Sequence, residues 1–174
     1  DPQGNASSGF GVEKKDLEKT MCDVMLGECE LKDIIVKNKT KNLFIAPTIP
    51  ELANVEVEIS GVEGKFKILK KAIAKVSGDY DYVIIDSPPS LSLLTVNGMI
   101  AADYLLLPVQ TEFYALEGVA QLLESMNLVK KSLNPDLKLL GVLATMYDRR
   151  TALSSQVLAE VKKYFKEKVF ETTI

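Results

Sequence analysis

The stretch D-Y-V-I-I-D-S-P-P-S, residues 81–90, decides the fold. Residues 82–85 are a continuous apolar run rich in β-branched side chains, and Asp86 and two prolines follow soon after. Such a run is typical of a parallel strand that is buried on both faces. The prolines end the strand because proline cannot donate a hydrogen bond to a sheet ladder. We therefore predict a buried strand over residues 81–86, with Asp86 at its carboxyl end.

Further strands and amphipathic helices alternate along the chain. Four other stretches predict strands: residues 42–46 (the weakest), 104–109, 137–145 and 169–174. Three stretches place apolar residues at helical spacing: 66–76, 116–133 and 153–164. The alternation predicts an α/β fold with a mostly parallel sheet flanked by helices. Ligands of such sheets bind at the carboxyl ends of the strands.

The composition limits the chemistry that the chain can perform. The 174 residues include no histidine, which excludes Ser-His triads and His-ligated metal sites. Cys22 and Cys29, with six residues between them, match no zinc pattern and are interpreted as packing thiols. The net charge of −3 lacks the basic surplus of most nucleic-acid binders, although a local basic patch is compatible with it. Carboxylates, hydroxyls, amides, lysine and arginine must therefore carry any chemistry.

The length predicts one domain over residues 1–174. No apolar run reaches the roughly 18 residues that span a bilayer. The first residues also lack the charged and apolar regions of a signal peptide. We therefore expect a cytoplasmic protein.

Four polar stretches are candidates for a ligand site. The Asp86 carboxylate fits two roles: it either holds Mg²⁺ or caps the next helix. D-P-Q-G-N-A-S-S-G, residues 1–9, lacks the Gly-Lys-Ser/Thr of a phosphate-binding loop and by composition reads as a polar loop. P-V-Q-T-E, residues 108–112, and T-M-Y-D-R-R-T, residues 145–151, each follow a predicted strand. Either a ligand site or an ordinary strand-to-helix turn fits these two.

Taken in order, the four stretches resemble the ParA/Soj branch of the deviant Walker ATPases, the chromosome- and plasmid-partitioning proteins related to MinD. The resemblance covers almost the whole chain and implies a P-loop NTPase-like fold. It also implies that the N-terminal strand, the phosphate-binding loop and a later segment that closes over the adenine are missing. We therefore expect a partial domain, truncated at both ends, that is inactive alone and exposes the strand edge at Val83, Ile84 and Ile85.

The resemblance implies roles for individual residues. Asp1 and Asp86 match the two catalytic aspartates: Asp1 acts on the attacking water, and Asp86 acts on Mg²⁺ through water. Gly4 and Asn5 belong to the same switch as Asp1. Arg150 matches a surface arginine that contacts DNA without reading its sequence, and local pairing of this arginine is the alternative. The other residues implied to lie at the nucleotide are Pro88, Gln110, Glu112, Met146, Tyr147 and Asp148.

The function that the resemblance implies is a switch driven by ATP and Mg²⁺. The ATP-bound homodimer binds DNA non-specifically on the nucleoid, and a ParB-type partner stimulates hydrolysis. A MinD-like membrane-cycling ATPase is an alternative, as is a non-catalytic module that binds DNA or a partner. The D-P-Q-G-N-A and T-M-Y-D stretches favour the partitioning branch, for which we expect no membrane binding.

Overall fold

The computed structural model describes residues 2–13, 15, 17–88, 90, 92–112 and 115–174, which form two compact units. The units divide between residues 101 and 102. The first contains α1 (Asn5–Gly9), α2 (Met21–Leu26), β1 (Val36–Lys37), β2 (Phe44–Ile45), α3 (Leu52–Ile59), α4 (Ile68–Ala74) and α5 (Leu93–Ala101). The second contains β3 (Tyr104–Gln110), α6 (Ala115–Ser132), β4 (Lys138–Thr145), α7 (Ala152–Phe165) and β5 (Val169–Thr173).

The second unit is built on a three-stranded parallel sheet in the order β3-β4-β5. Helix α6 connects β3 to β4, and α7 connects β4 to β5, because parallel neighbours need a long crossover. Gln110 lies beside Thr145 in the β3–β4 register, so both strands end at the same edge. Strands and helices contribute the core side chains: Leu107, Val109, Val119, Val142, Val161 and Phe165. The α/β prediction and the strands predicted at 104–109, 137–145 and 169–174 are therefore confirmed.

Local sequence signals set where the helices begin and end. Thr151 is the N-cap of α7, where its side chain accepts a hydrogen bond from the Ser154 N–H. Thr20 and Asp23 form a capping box at the start of α2, and Gly27 ends that helix with a left-handed φ of 81°. Such caps satisfy backbone groups that helix termini leave without partners. No helix in the described ranges is both long enough and apolar enough to cross a bilayer.

The first unit packs short helices around two apolar clusters. One cluster consists of Cys22, Met25, Leu52, Val55 and Ile59, and the other of Val24, Leu31, Ile34 and Val76. Cys22 is thus a packing thiol, as expected. Strands β1 and β2 pair antiparallel over two residues each. The weak strand predicted at 42–46 is therefore confirmed only at its centre.

The prediction of a buried strand at residues 81–86 is wrong for this structure. Residues 81–88 belong to neither sheet, and Tyr82 and Ile84 are 88% and 92% exposed. A strand needs a neighbour to receive its backbone hydrogen bonds, and an apolar, β-branched composition does not supply one. The side chains of Val83 and Ile84 are exposed, as expected, and Ile85 is half-buried, but residues 81–88 form no strand whose edge could be exposed.

The close approach of β4 and β5 predicts the effect of adding one methyl group at Gly141. A Cβ there would lie 2.7 Å from Phe170 Cε2 and 2.8 Å from the Lys168 carbonyl oxygen. Because the Lys168 backbone cannot rotate away, we expect Gly141→Ala to lower the free energy of unfolding by about 1–3 kcal/mol. Urea denaturation followed by circular dichroism measures this change.

Gly118→Ala is the matched control for this substitution. Gly118 lies in α6, and a Cβ there would meet nothing within 4 Å. Alanine has the higher helix propensity, so stability should rise by about 1 kcal/mol. Equal effects of the two substitutions would contradict a steric limit at Gly141.

Two ion pairs of Glu30 predict a pH dependence of stability. Glu30 lies 2.8 Å from Lys32 Nζ and 3.0 Å from Lys75 Nζ, and hydrogen bonds from these lysines lower its pKa to about 2. Its pKa is therefore lower in the folded than in the unfolded chain. The pairs stabilise the fold above about pH 4.3, and this contribution is lost as the pH falls through the folded-state value.

Acid unfolding curves of the wild type and Glu30→Gln test this dependence. The two proteins should differ in stability at neutral pH, and the difference should vanish as the pH approaches about 2. Glu28→Gln, at an exposed neighbour, is the control. A difference between wild type and Glu30→Gln that stayed constant with pH would contradict the role of the two ion pairs.

Candidate functional site

The carboxyl ends of β3 and β4 bring two of the predicted site segments together. Gln110 ends β3, and Met146 directly follows β4. Thr111 donates its backbone N–H to the Thr145 carbonyl at 3.1 Å, which extends the pairing past the end of the strand. Gln110 and Glu112 are exposed on either side of the buried Thr111. The sheet edge therefore carries polar groups from two segments, as the fold class predicts.

The turn after β4 holds Met146 in a left-handed conformation. Its φ is 55°, which is unfavourable for a residue that has a Cβ. Thr111 Oγ1 donates a hydrogen bond to the Met146 carbonyl at 3.0 Å, and the Tyr147 N–H donates to the Ile174 carbonyl at 2.9 Å. Met146 is nevertheless 68% exposed. The turn thus presents an apolar side chain to solvent at the carboxyl edge of the sheet.

Asp148 and Arg150 form an ion pair at the surface of the same turn. Arg150 Nη2 lies 2.8 Å from Asp148 Oδ2, and its Nε lies 3.0 Å from Oδ1. The hydrogen bond from Arg150 lowers the pKa of Asp148, and the Asp148 carboxylate raises the pKa of Arg150. The local pairing that the sequence left open is therefore present. The Arg150 side chain is still 89% exposed, so part of its guanidinium remains accessible to an anion.

The first unit begins with a turn that leads into α1. Gly4 is buried and has a left-handed φ of 69° at the N-cap position, a conformation that glycine adopts without strain. Asn5 is exposed, and its Nδ2 donates to Gln3 Oε1 at 3.2 Å. Ser7 is buried, and its Oγ accepts a hydrogen bond from the Thr48 N–H at 3.0 Å. These contacts fix the loop that contains the predicted residues Gly4 and Asn5.

Asp86 and this loop line one cavity of about 390 Å³ within the first unit. Asp86 is exposed, and Pro88 lines the cavity with it. The loop contributes Pro2, Ala6, Ser7 and Phe10. The other predicted catalytic residue, Asp1, lies outside the described residues. Asp86 and part of the loop that follows Asp1 therefore line the same cavity, whereas Gly4 and Asn5 are not among its lining residues.

Helix α5 supports the chain that follows Asp86. Thr95 Oγ1 donates to the Ser90 carbonyl at 2.7 Å. Gly98 lies so close to the same segment that a Cβ on it would be 3.1 Å from Ser87 Oγ. The position of the segment after Asp86 therefore depends on α5.

Two residues of the site region had no role assigned from the sequence. Asn97 is fully buried: its Oδ1 accepts from the Leu69 N–H at 3.2 Å, and its Nδ2 donates to the Lys65 carbonyl at 2.8 Å, which joins α5 to α4. In the sequence, a single amide side chain within a mostly apolar segment indicated that Asn97 has a special role. Thr111 is the second residue. Its position between the candidate site residues Gln110 and Glu112 was the feature of the sequence that pointed to it.

The donor set fits Mg²⁺ better than a metal held by protein side chains alone. The described residues contain no group of three or more cysteine or carboxylate side chains that could hold a metal ion. Mg²⁺ usually takes only one or two carboxylates and completes its shell with water and substrate phosphates. An exposed Asp86 beside the cavity meets that requirement.

The sequence is similar to that of known partition proteins. Residues 1–139 match the AAA domain family. The chain is 48% identical over 174 residues to the sporulation initiation inhibitor protein Soj of Bacillus subtilis, and it spans 69% of that protein. It is 42% identical over 174 residues to the chromosome partitioning protein ParA of Myxococcus xanthus, and it spans 62% of that protein.

The fold is similar to that of a solved nucleotide complex. The crystal structure of cobyrinic acid a,c-diamide synthase from Mycobacterium smegmatis, with bound ATP analog and magnesium, superposes with a TM-score of 0.93 at 38% identity. The superposition covers 100% of this chain and 71% of that chain. Together with the alignment to Soj, these matches show that the chain belongs to the ParA/Soj family of chromosome-partitioning ATPases.

Proposed function

We propose that this chain is part of an ATP- and Mg²⁺-dependent partition ATPase whose ATP-bound homodimer binds DNA without reading its sequence. In this proposal a ParB-type partner stimulates hydrolysis, and the protein acts on the nucleoid in the cytoplasm. The observation that carries the proposal is the cavity shared by Asp86 and the loop at residues 2–10. Phosphoryl transfer to water needs a carboxylate that holds the metal and, close to it, a segment that orients the water.

Most of the predicted residues have a task in this mechanism. Asp86 would hold Mg²⁺ through water, and the ion would neutralise charge on the phosphates when it is bound. Asp1 orients the attacking water, a role that rests on the sequence resemblance. The buried Gly4 and its neighbour Asn5 set the course of the loop that follows Asp1. The remaining nucleotide-binding roles rest on the sequence resemblance and are those of Gln110, Glu112, Met146, Tyr147 and Asp148.

The phosphate-binding loop of P-loop sites has no counterpart among the 174 residues. No Gly-Lys-Ser/Thr occurs in the 174 residues. In P-loop sites the backbone N–H groups and the lysine of such a loop cradle the phosphates. The functional tests below therefore use the natural protein that contains this chain.

Asp86→Asn tests the ATPase function. The amide keeps the size of the side chain and removes the charge that holds Mg²⁺, so we expect Mg²⁺-dependent hydrolysis to fall by about 100-fold or more. Phosphate release across a Mg²⁺ titration measures the effect. Asp81→Asn is the matched control, because Asp81 is an exposed aspartate at the other end of the same segment. It should leave the rate unchanged.

Asp1→Ala extends this experiment to the second aspartate. We expect hydrolysis to slow by much more than ATP binding weakens, because the proposed role concerns the attacking water and not the ground state. Equal losses in binding and hydrolysis would argue for a merely structural loop. A wild-type protein that hydrolyses no ATP, even with DNA and a ParB-type partner present, would contradict the proposed function.

Arg150→Ala tests the DNA contact. Loss of one phosphate contact should weaken binding similarly for all DNA sequences and make the salt slope shallower by about one unit. Fluorescence anisotropy in a salt series measures both quantities. Arg149→Ala is the matched control, because Arg149 is the exposed neighbour. Equal losses for the two variants would contradict a specific contact by Arg150.

An independent readout shows whether the ion pair of Arg150 exists in solution. Since the hydrogen bond from Arg150 lowers the pKa of Asp148, Arg150→Ala should raise that pKa toward its ordinary value. The carboxyl ¹³C shift of Asp148, followed by NMR through an acid titration, reports this change. An unchanged titration would mean that Asp148 and Arg150 do not pair in solution.

A further inference from the structure

Thr111 joins the ends of β3 and β4 to the first turn of α7. It is 3% exposed, and its hydroxyl donates to the Met146 carbonyl at 3.0 Å. The same oxygen lies 3.2 Å from Ser154 Oγ in α7. A hydroxyl has one proton, so with that proton on the Met146 carbonyl the contact with Ser154 uses the proton of the serine. One buried side chain therefore connects a strand end, a turn and a helix start.

The peptide unit between Met146 and Tyr147 is held at both of its polar atoms. Its carbonyl accepts the Thr111 hydroxyl proton, and its N–H donates to the Ile174 carbonyl at 2.9 Å. A left-handed φ of 55° on a residue with a Cβ persists only where the surroundings over-determine it. These two hydrogen bonds restrain the turn, and the one from Thr111 comes from a side chain.

The consequence of this strained turn is the placement of an apolar side chain. Met146 is 68% exposed at the same sheet edge as the exposed Gln110 and Glu112. Asp148, two residues further along, directs its carboxylate to Arg150. Thioether side chains pack favourably against aromatic rings. Met146 therefore offers this edge a surface suited to a planar base.

We infer that Thr111 is a positioning residue whose hydroxyl sets the Met146 peptide so that the methionine side chain packs on the base of the bound nucleotide. The inference rests on the proposed function and adds to it a buried residue that touches no ligand. If Thr111 served stability alone, its loss would weaken the binding of phosphate and of base to the same extent. The two roles therefore differ in the ratio between the affinity lost for ATP and the affinity lost for a phosphate compound that has no base.

Two substitutions at Thr111 in the natural protein separate these roles. Thr111→Val keeps the shape of the side chain and removes the hydroxyl, whereas Thr111→Ser keeps the hydroxyl. Calorimetry with Mg²⁺ measures the affinities for ATP and for inorganic tripolyphosphate, which has no base. We expect Thr111→Val to weaken ATP binding by about tenfold, as loss of one hydrogen bond would, and to leave tripolyphosphate binding unchanged. Thr111→Ser should bind both as the wild type does.

Met146→Gly provides a second arm that does not depend on the folding of Thr111→Val. Glycine adopts a left-handed φ without strain, so this variant should fold while it lacks the side chain that packs on the base. We expect the same selective loss of ATP affinity. In the double variant with Thr111→Val no further loss should appear, because both changes remove one and the same contact.

Three results would overturn the inference. Equal losses for ATP and tripolyphosphate in Thr111→Val would reduce Thr111 to a structural residue. Additive losses in the double variant would separate Thr111 from Met146, and unchanged ATP affinity in Met146→Gly would remove Met146 from the base. If the wild-type protein binds neither compound, the result contradicts the proposed nucleotide site itself and not only the role of Thr111.

Discussion

The parallel pairing of residues 106–110 of β3 with residues 141–145 of β4 is the constraint on which the second unit depends. Gln110 lies beside Thr145, so the chain leaves both strands at one edge and the polar residues that follow each strand meet there. A slip of one residue would turn the side chains to the opposite face and break this arrangement. Gly141 lets β5 approach β4 closely, and the end of β5 then reaches the same edge through the contact of Ile174 with Tyr147.

In the first unit, side-chain contacts fix the position of the candidate site segment, whereas backbone hydrogen bonds between strands do so in the second unit. Residues 81–88 belong to neither sheet, and the segment after Asp86 is held by the Thr95 hydroxyl and by the close approach of Gly98. Asn97 in turn ties α5 to the start of α4. The position of the candidate metal-binding carboxylate therefore depends on one short helix and on its buried polar groups, which lose much of their value if any partner is removed.

Periodicity predicted the second unit well and the first unit poorly, for physical reasons. α6 and α7 are long and bury one face, and β3 and β4 are apolar strands that are each buried only in part, so each leaves a clear pattern. The pattern is weak in α1, α2 and α3 because they are only 5, 6 and 8 residues long, and in α5 because it is apolar nearly all round. At residues 81–86 the sequence pattern predicted a strand that the structure does not form. Composition indicates a tendency to be buried, but it does not show that a neighbouring strand is present to pair with.

The sequence by itself determined the chemistry and the class of fold. It excluded histidine-based sites, set the alternation of strands and helices, and ordered the four polar stretches that carry the family resemblance. Only the tertiary structure decided that Thr111 contacts Met146 and Ser154, which lie 35 and 43 residues away, and that Asp86 shares a cavity with the loop at residues 2–10. The reason is that residue identity sets charge and hydrogen-bonding capacity, whereas the distance between groups far apart in the chain is set by packing.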